Sequence, residues 1–196
     1  WKNYGMTFIE YIFLSFFKKN NSHIKFKNEE NLLSVIREKK PVIFVSGHFA
    51  NFELMSMELS KARVKLATIY RPLNNFFLNP FMEYIRKTFV CKNQIKKGLN
   101  GVRKTLEYMK NGYCIALMVD QRVGESERCP FFNFPAHTTT IPAQLAIKYN
   151  LEIVPIFLER QKDNFFKMEV QNPIKYQKAK NYDQNKREIT IEINKT

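Results

Sequence analysis

Apolar residues fall along the chain in two rhythms, short unbroken runs and patterns spaced by three and four, and their alternation predicts an α/β fold. The longest apolar stretch, Met6 to Phe17, is bounded by Lys18 and Lys19 and interrupted by Glu10 and Ser15. It falls short of the roughly 20 residues needed to cross a bilayer. Its apolar positions wrap most of the way round a helix, so it reads either as a buried core helix or as one lying at a membrane surface or lining an acyl channel. Ser22 to Lys27 reads as a connector. A helix from Asn28 as cap through Glu38 follows, with Leu32, Leu33, Val35 and Ile36 on one face.

PVIFVSG then supplies a short β-branched run fenced by Pro41 and Gly47, a buried strand over Pro41 to Ser46. Beyond it the pattern predicts a helix from Asn51 to Lys61, a strand at KLATIY, a loop at RPLNN, and helices over Phe76 to Thr88 and Leu99 to Lys110. The second of these is stopped by Asn111-Gly112. A strand follows at Tyr113 to Val119, then a long loop from Asp120 to Thr140, of a length that is usually functional. A helix capped by Thr140 with Pro142 in its first turn leads to strands at EIVPIFL and FFKMEV, which lie close enough in sequence to form an antiparallel pair. The expectation is a single α/β domain over residues 1 to 196, its sheet mainly parallel and flanked by helices, with an antiparallel strand pair near the C-terminus. YQKAKNYDQNKRE reads as a solvated surface segment. A chain that opens on Trp1, has no Met before Met6 and stops within the apolar-periodic run ITIEIN reads as a fragment.

Composition narrows the partners. The chain has 196 residues, 44% of them hydrophobic, so it can bury a core. Its 32 Lys and Arg against 18 Asp and Glu give a formal charge of +14, which points to phosphate groups, an anionic membrane, an acidic protein or nucleic acid. Cys91, Cys114 and Cys129 form no CxxC pair, which argues against a disulfide framework or a zinc site. No metal or cofactor is expected.

The chemistry concentrates in SGHFANFE, directly after the buried strand, where the ends of strands in open α/β sheets build ligand crevices. On a continuous helix His48 and Glu53 would stand about 140° apart. They meet only if His48 lies on the turn before the helix and Glu53 in its first turn, with Asn51 as cap. A carboxylate there can fix the imidazole tautomer and leave the other nitrogen as a base. His23 and His137 lack a carboxylate at comparable spacing and read as loop histidines. Arg71, held toward an extended backbone by Pro72, suits a phosphate contact or a local ion pair. Arg122 has the same two readings, and Asp120 can hold Arg122, hold His48 or cap its loop. Phe131, Phe132 and Phe134 can wall an acyl channel or belong to the core.

These residues also carry a resemblance. SGHFANFE looks like the HxxxxE block of the lipid A late acyltransferases, relatives of the glycerolipid acyltransferases whose block is HxxxxD. YRPLNN resembles that family's Arg-Pro block, Arg86 and its helix fit the next, MVDQRVG resembles the Asp-Gln block, and PFFNFPAHTTTIPAQLA resembles the Phe-Phe-Gly and Thr/Pro/Ala segment. Asn133 stands where the family usually has Gly, and the family's upstream hydrophobic anchor and Trp-rich basic end have no counterpart. The resemblance implies a glycerolipid-acyltransferase-like fold at the cytoplasmic face of a bacterial inner membrane. It implies transfer of a fatty acyl group from acyl carrier protein, as co-substrate, to a hydroxyl of a phosphorylated, Kdo-modified glucosamine disaccharide. His48 would be the general base and Glu53 its orienting partner, with Asn51, Arg71, Asp120, Gln121 and Arg122 toward substrate. No Ser stands in a GxSxG elbow, so direct attack by the sugar hydroxyl is expected. A glycerophospholipid acyltransferase using acyl carrier protein or CoA is the alternative in the same class. A non-catalytic basic module for membrane or nucleic acid is the alternative in another, although the chain has no recognised nucleic-acid motif.

Overall fold

The computed structural model describes residues 2–121, 124, 126–176 and 181–196. The chain opens with α1 (Lys2–Glu10), a 3-10 turn at Tyr11–Phe13 and α2 (Leu14–Lys19), followed by β1 (Ile24–Lys27), α3 (Glu29–Glu38), β2 (Ile43–Ser46) and α4 (Glu53–Lys61). Next come β3 (Leu66–Tyr70), α5 (Leu78–Ile85) running into a π-helical turn at Arg86–Val90, β4 (Gln94–Lys96), α6 (Leu99–Lys110) and β5 (Cys114–Met118). A hairpin of β6 (Ser126–Phe131) and β7 (Phe134–Thr139) leads to α7 (Ile141–Tyr149), β8 (Ile153–Arg160), β9 (Phe166–Val170) and α8 (Tyr182–Lys195).

Seven strands form one sheet in the order β1-β9-β8-β2-β5-β3-β4. The five from β8 to β4 run parallel, while β9 is antiparallel to β8 and carries β1 parallel to itself. The mainly parallel sheet and the late antiparallel pair are as the sequence predicts. Strand β2 is buried at every position, which explains its unbroken IFVS run. Its residues alternate between two cores. Phe44 joins Leu14, Phe17, Leu54, Met57 and Phe166 on the side covered by α2, α3 and α4, whereas Ile43 and Val45 join Met109, Ala143, Ala146, Ile189 and Ile193 under α6, α7 and α8.

Several expectations need correction. Ser22 to Lys27 is not a connector, because Ile24–Lys27 pairs with β9 as an edge strand. The Asp120 to Thr140 loop contains the β6–β7 hairpin, in register from Ser126↔Thr139 to Phe131↔Phe134. Its two turn residues, Phe132 and Asn133, have φ of 47° and 64°, the left-handed pair that a two-residue type I′ turn requires. ITIEIN, to which the sequence pattern assigns no element, is helical, with Ile189 and Ile193 one turn apart and buried. Part of the basic segment before it, residues 177–180, lies outside the described residues. Asn28 and Thr140 precede their helices without a side-chain cap, Asn28 taking a left-handed backbone instead. His137 lies on β7 with Nδ1 3.1 Å from Ser126 Oγ. His23 is buried, its Nε2 3.2 Å from Glu58 Oε1, so a carboxylate distant in sequence supplies the partner that local spacing lacked.

The Met6 to Phe17 stretch fits neither of its two readings alone. Leu14 and Phe17 enter the core, while Ile9, Ile12, Phe13 and Phe16 are each more than half exposed. Glu10 is bound by the guanidinium of Arg160 on β8. Among the described residues, no helix is long and apolar enough to cross a membrane.

Candidate active site

The site forms where β2 and β5, neighbours at the middle of the sheet, end side by side. Their register pairs Ser46 with Met118, and the Val119 N–H continues the ladder by donating to the Ser46 carbonyl at 2.9 Å. Two residues beyond each partner stand His48 and Asp120. The Asp120 carboxylate takes His48 twice: Oδ2 accepts the backbone N–H at 2.8 Å and Oδ1 lies 2.7 Å from ring Nδ1. Gly47 permits this approach, since a Cβ there would come within 3.3 Å of Asp120 Oδ2 and 2.7 Å of the Phe49 ring. Burial works to raise the Asp120 carboxyl, but the hydrogen bonds from the His48 ring and backbone outweigh it and hold the group below the usual aspartate range. Phe52 packs against the His48 ring in an edge-to-face contact, with centroids 4.6 Å apart and planes at 68°.

The structure thus corrects the partner expected from spacing. His48 does lie on the turn before α4 and Glu53 does open that helix, but Glu53 faces a different group. Its Oε1 accepts from Arg86 Nε at 2.7 Å and from the Tyr11 hydroxyl, which itself accepts from Arg86 Nη2 at 3.3 Å. The Glu53 and Arg86 side chains are only 8% and 13% exposed, so this is a buried ion pair. Burial, followed by the Glu53 carboxylate, raises the Tyr11 phenol far above its ordinary value. Burial would lower the Arg86 guanidinium, but Glu53 overrides it and drives the group upward, keeping it charged.

Asn51, expected toward substrate, is fully buried; its Oδ1 accepts the Glu53 backbone N–H at 3.2 Å and thereby starts α4. Ala50, just before it, has φ of 43°. For a residue with a Cβ, a left-handed backbone costs about 1–2 kcal/mol. Arg122 lies outside the described residues.

A cavity of about 400 Å³ opens beside the His48 ring, within the size range of small-molecule sites. Its more exposed wall holds His48, Arg71, Asn74 and Gln121, and its interior is lined by Met55, Met82, Val90, Ala116 and Leu117. Glu53, Arg86 and Tyr11 also face it, as does Lys97. The structure therefore brings His48, Arg71 and Gln121 together at one cavity wall, with Asp120 bound to His48. Phe131, Phe132 and Phe134 are exposed on the hairpin and do not wall the cavity. Sequence reasoning missed Tyr11 as a site residue and took Arg86 only as part of a block. The signal for Tyr11 was there, as a polar tip at helical spacing from Thr7 and Asn3 in an otherwise apolar run.

A histidine with one ring nitrogen held by an ionised carboxylate, at the rim of an apolar cavity with cationic groups in its wall, suits proton removal from a hydroxyl beside a long apolar chain. Comparison with curated proteins returns no matching relative. The family model described as bacterial lipid A biosynthesis acyltransferase matches residues 1–196, and the chain belongs to that acyltransferase family.

Proposed function

We propose that the protein transfers a fatty acyl group from the thioester of acyl carrier protein to a hydroxyl of a phosphorylated lipid A precursor, with His48 as general base and Asp120 as its orienting partner. The observation that carries this reading is the 2.7 Å contact between His48 Nδ1 and Asp120 Oδ1 at the mouth of an apolar cavity. With Nδ1–H directed at the carboxylate, Nε2 keeps its lone pair for the acceptor. The hydroxyl oxygen attacks the thioester carbonyl as its proton passes to Nε2. Asp120 stabilises the imidazolium, and collapse of the tetrahedral intermediate expels the sulfur, which leaves as the thiol on receiving that proton from Nε2.

The fatty chain is assigned to the interior lined by Met55, Met82, Val90 and Leu117, which offers apolar surface away from water. Arg71 suits an acceptor phosphate. The charge of +14 suits both an acidic carrier protein and an anionic lipid surface. The exposed apolar residues of the first two helices, together with Phe76 and Phe77, 83% and 89% exposed before α5, suit contact with a bilayer, and α1 and α5 also reach the cavity through Phe8 and Met82. A lipid A pathway acts on membrane-embedded substrates, so peripheral attachment through these helices is the expected location.

The test is transfer from acyl carrier protein or CoA thioesters of different chain lengths to a lipid A precursor, read by mass spectrometry. His48→Ala should lose about 10²–10⁴ in rate while the domain stays folded. Asp120→Asn, which keeps the shape and removes the charge, should be slowed severely. A folded His48→Ala protein with near-normal transfer would falsify the assignment.

A further inference from the structure

Helix α1 and the turn after it carry one line of polar side chains, Asn3, Thr7 and Tyr11, at i, i+4 and i+8, which helical geometry stacks on a single face. All three are directed at the segment that begins with His48. Asn3 Nδ2 donates to the Ala50 carbonyl at 2.9 Å and to the His48 carbonyl at 3.4 Å. The Thr7 hydroxyl lies 3.0 Å from the Ala50 carbonyl and 3.0 Å from that of Asn3, sharing its one proton between them. Tyr11 donates to Glu53. A threonine inside a helix can satisfy itself on its own i−4 carbonyl, and Thr7 does so. Its second acceptor belongs to Ala50, whose left-handed φ of 43° needs external support. Strained residues of this kind persist where their surroundings over-determine them, and they gather at functional sites. Here the support comes from two side chains of another element converging on one carbonyl.

We propose that α1 is a positioning element for the catalytic histidine. Asn3 and Thr7 fix the backbone of residues 48–50 from outside, and Tyr11 anchors Glu53 at the far end of the same segment. The His48 ring is thereby presented to Asp120 and to the acceptor in one orientation. Thr7 and Tyr11 also line the cavity, but the bonds of all three go to the His48 and Ala50 carbonyls and to Glu53, so they act on the ring through that segment. The inference rests on the reading of His48 as general base.

Three variants test it in the full chain. Thr7→Val removes the hydroxyl at constant volume, Thr7→Ser keeps it, and Asn3→Ala removes the other donor. Displacement of a reacting group by a fraction of an ångström lowers turnover, so kcat for Thr7→Val should fall at least about tenfold with KM for both substrates held within about twofold. Thr7→Ser should recover to within about threefold of the parent, because the donor is restored. A second readout needs no turnover. The His48 Nδ1–H resonance should shift or broaden in Thr7→Val and return in Thr7→Ser, while the His23 ring signals, governed by Glu58, stay in place. A Thr7→Val protein with parental kcat and an unmoved His48 signal overturns the proposal, as does Thr7→Ser being as slow as Thr7→Val. If the parent transfers no acyl group from the donors offered, the donor reading falls and the His48 signal alone decides positioning, movement supporting it and constancy overturning it. If Thr7→Val does not fold, Asn3→Ala, at a half-buried position, carries the same measurements with the same outcomes.

Discussion

Nδ1 of His48 and Oδ1 of Asp120 lie 2.7 Å apart although 72 residues separate them in the chain, while Glu53, five residues from His48, is bound to Arg86 and Tyr11. Proximity in sequence favoured the glutamate. Proximity across a parallel ladder belongs to the aspartate, and the ladder decides.

That contact makes stability depend on pH in a defined direction. The folded-state Asp120 carboxyl is held below its ordinary value by the His48 hydrogen bonds, against the opposing effect of burial. Its contribution is therefore complete above the unfolded value of about 3.9 and is lost as pH falls through the lower folded value. The gap in thermal midpoint between the parent and Asp120→Asn should be present at about pH 5 and should shrink as pH falls below about 3.9. A gap that persists undiminished in acid contradicts the assignment of the lowered carboxyl to this pair.

The Glu53–Arg86 pair should behave as a buried ion pair. Removing either partner alone, as Glu53→Gln or Arg86→Met, strands the other charge and should cost about 3–5 kcal/mol in denaturant unfolding, with the double variant costing less than the sum. Had Glu53 oriented His48, as spacing suggested, Glu53→Gln would slow transfer and leave stability intact. Strictly additive unfolding energies would count against a coupled pair.

The outward face of the N-terminal helices should be separable from folding. Ile12 is 78% and Phe16 51% exposed, so replacing both with Glu should change stability by no more than about 1 kcal/mol in total. The same change should sharply reduce cosedimentation with vesicles containing anionic lipid, and added salt should weaken the binding of the parent. A large drop in melting temperature with vesicle binding intact would return the segment to the core.

Where local signals were strong, the sequence was legible. Helix α6 has the predicted bounds, Leu99 to Lys110, because Asn111-Gly112 ends it, and the buried runs of β2 and β5 stood out for their lack of polar interruptions. Strand β1 was missed because IKFK alternates lysine with apolar residues at a sheet edge, and β4 because three residues carry no period. The hairpin was missed because Phe132-Asn133 stands where a type I′ turn usually announces itself with glycine. His48 could be placed at a strand end from local pattern alone. Its partner could not, since strand order and register are set by packing between distant segments.

The register Ser46↔Met118 carries a further consequence for how such a chain tolerates change in length. Both site residues follow their strands by two positions, so the loops joining the elements from α4 through α6 can grow or shrink as long as those elements keep their places in the sheet and core. Addition or loss of one residue between Phe44 and His48, or between Ala116 and Asp120, would shift one side of the pair by a strand step of about 3.3 Å and turn its side chain to the opposite face. Insertions should therefore be tolerated in the loops that join the intervening elements, such as residues 71–77, and ruinous within a few positions of either end.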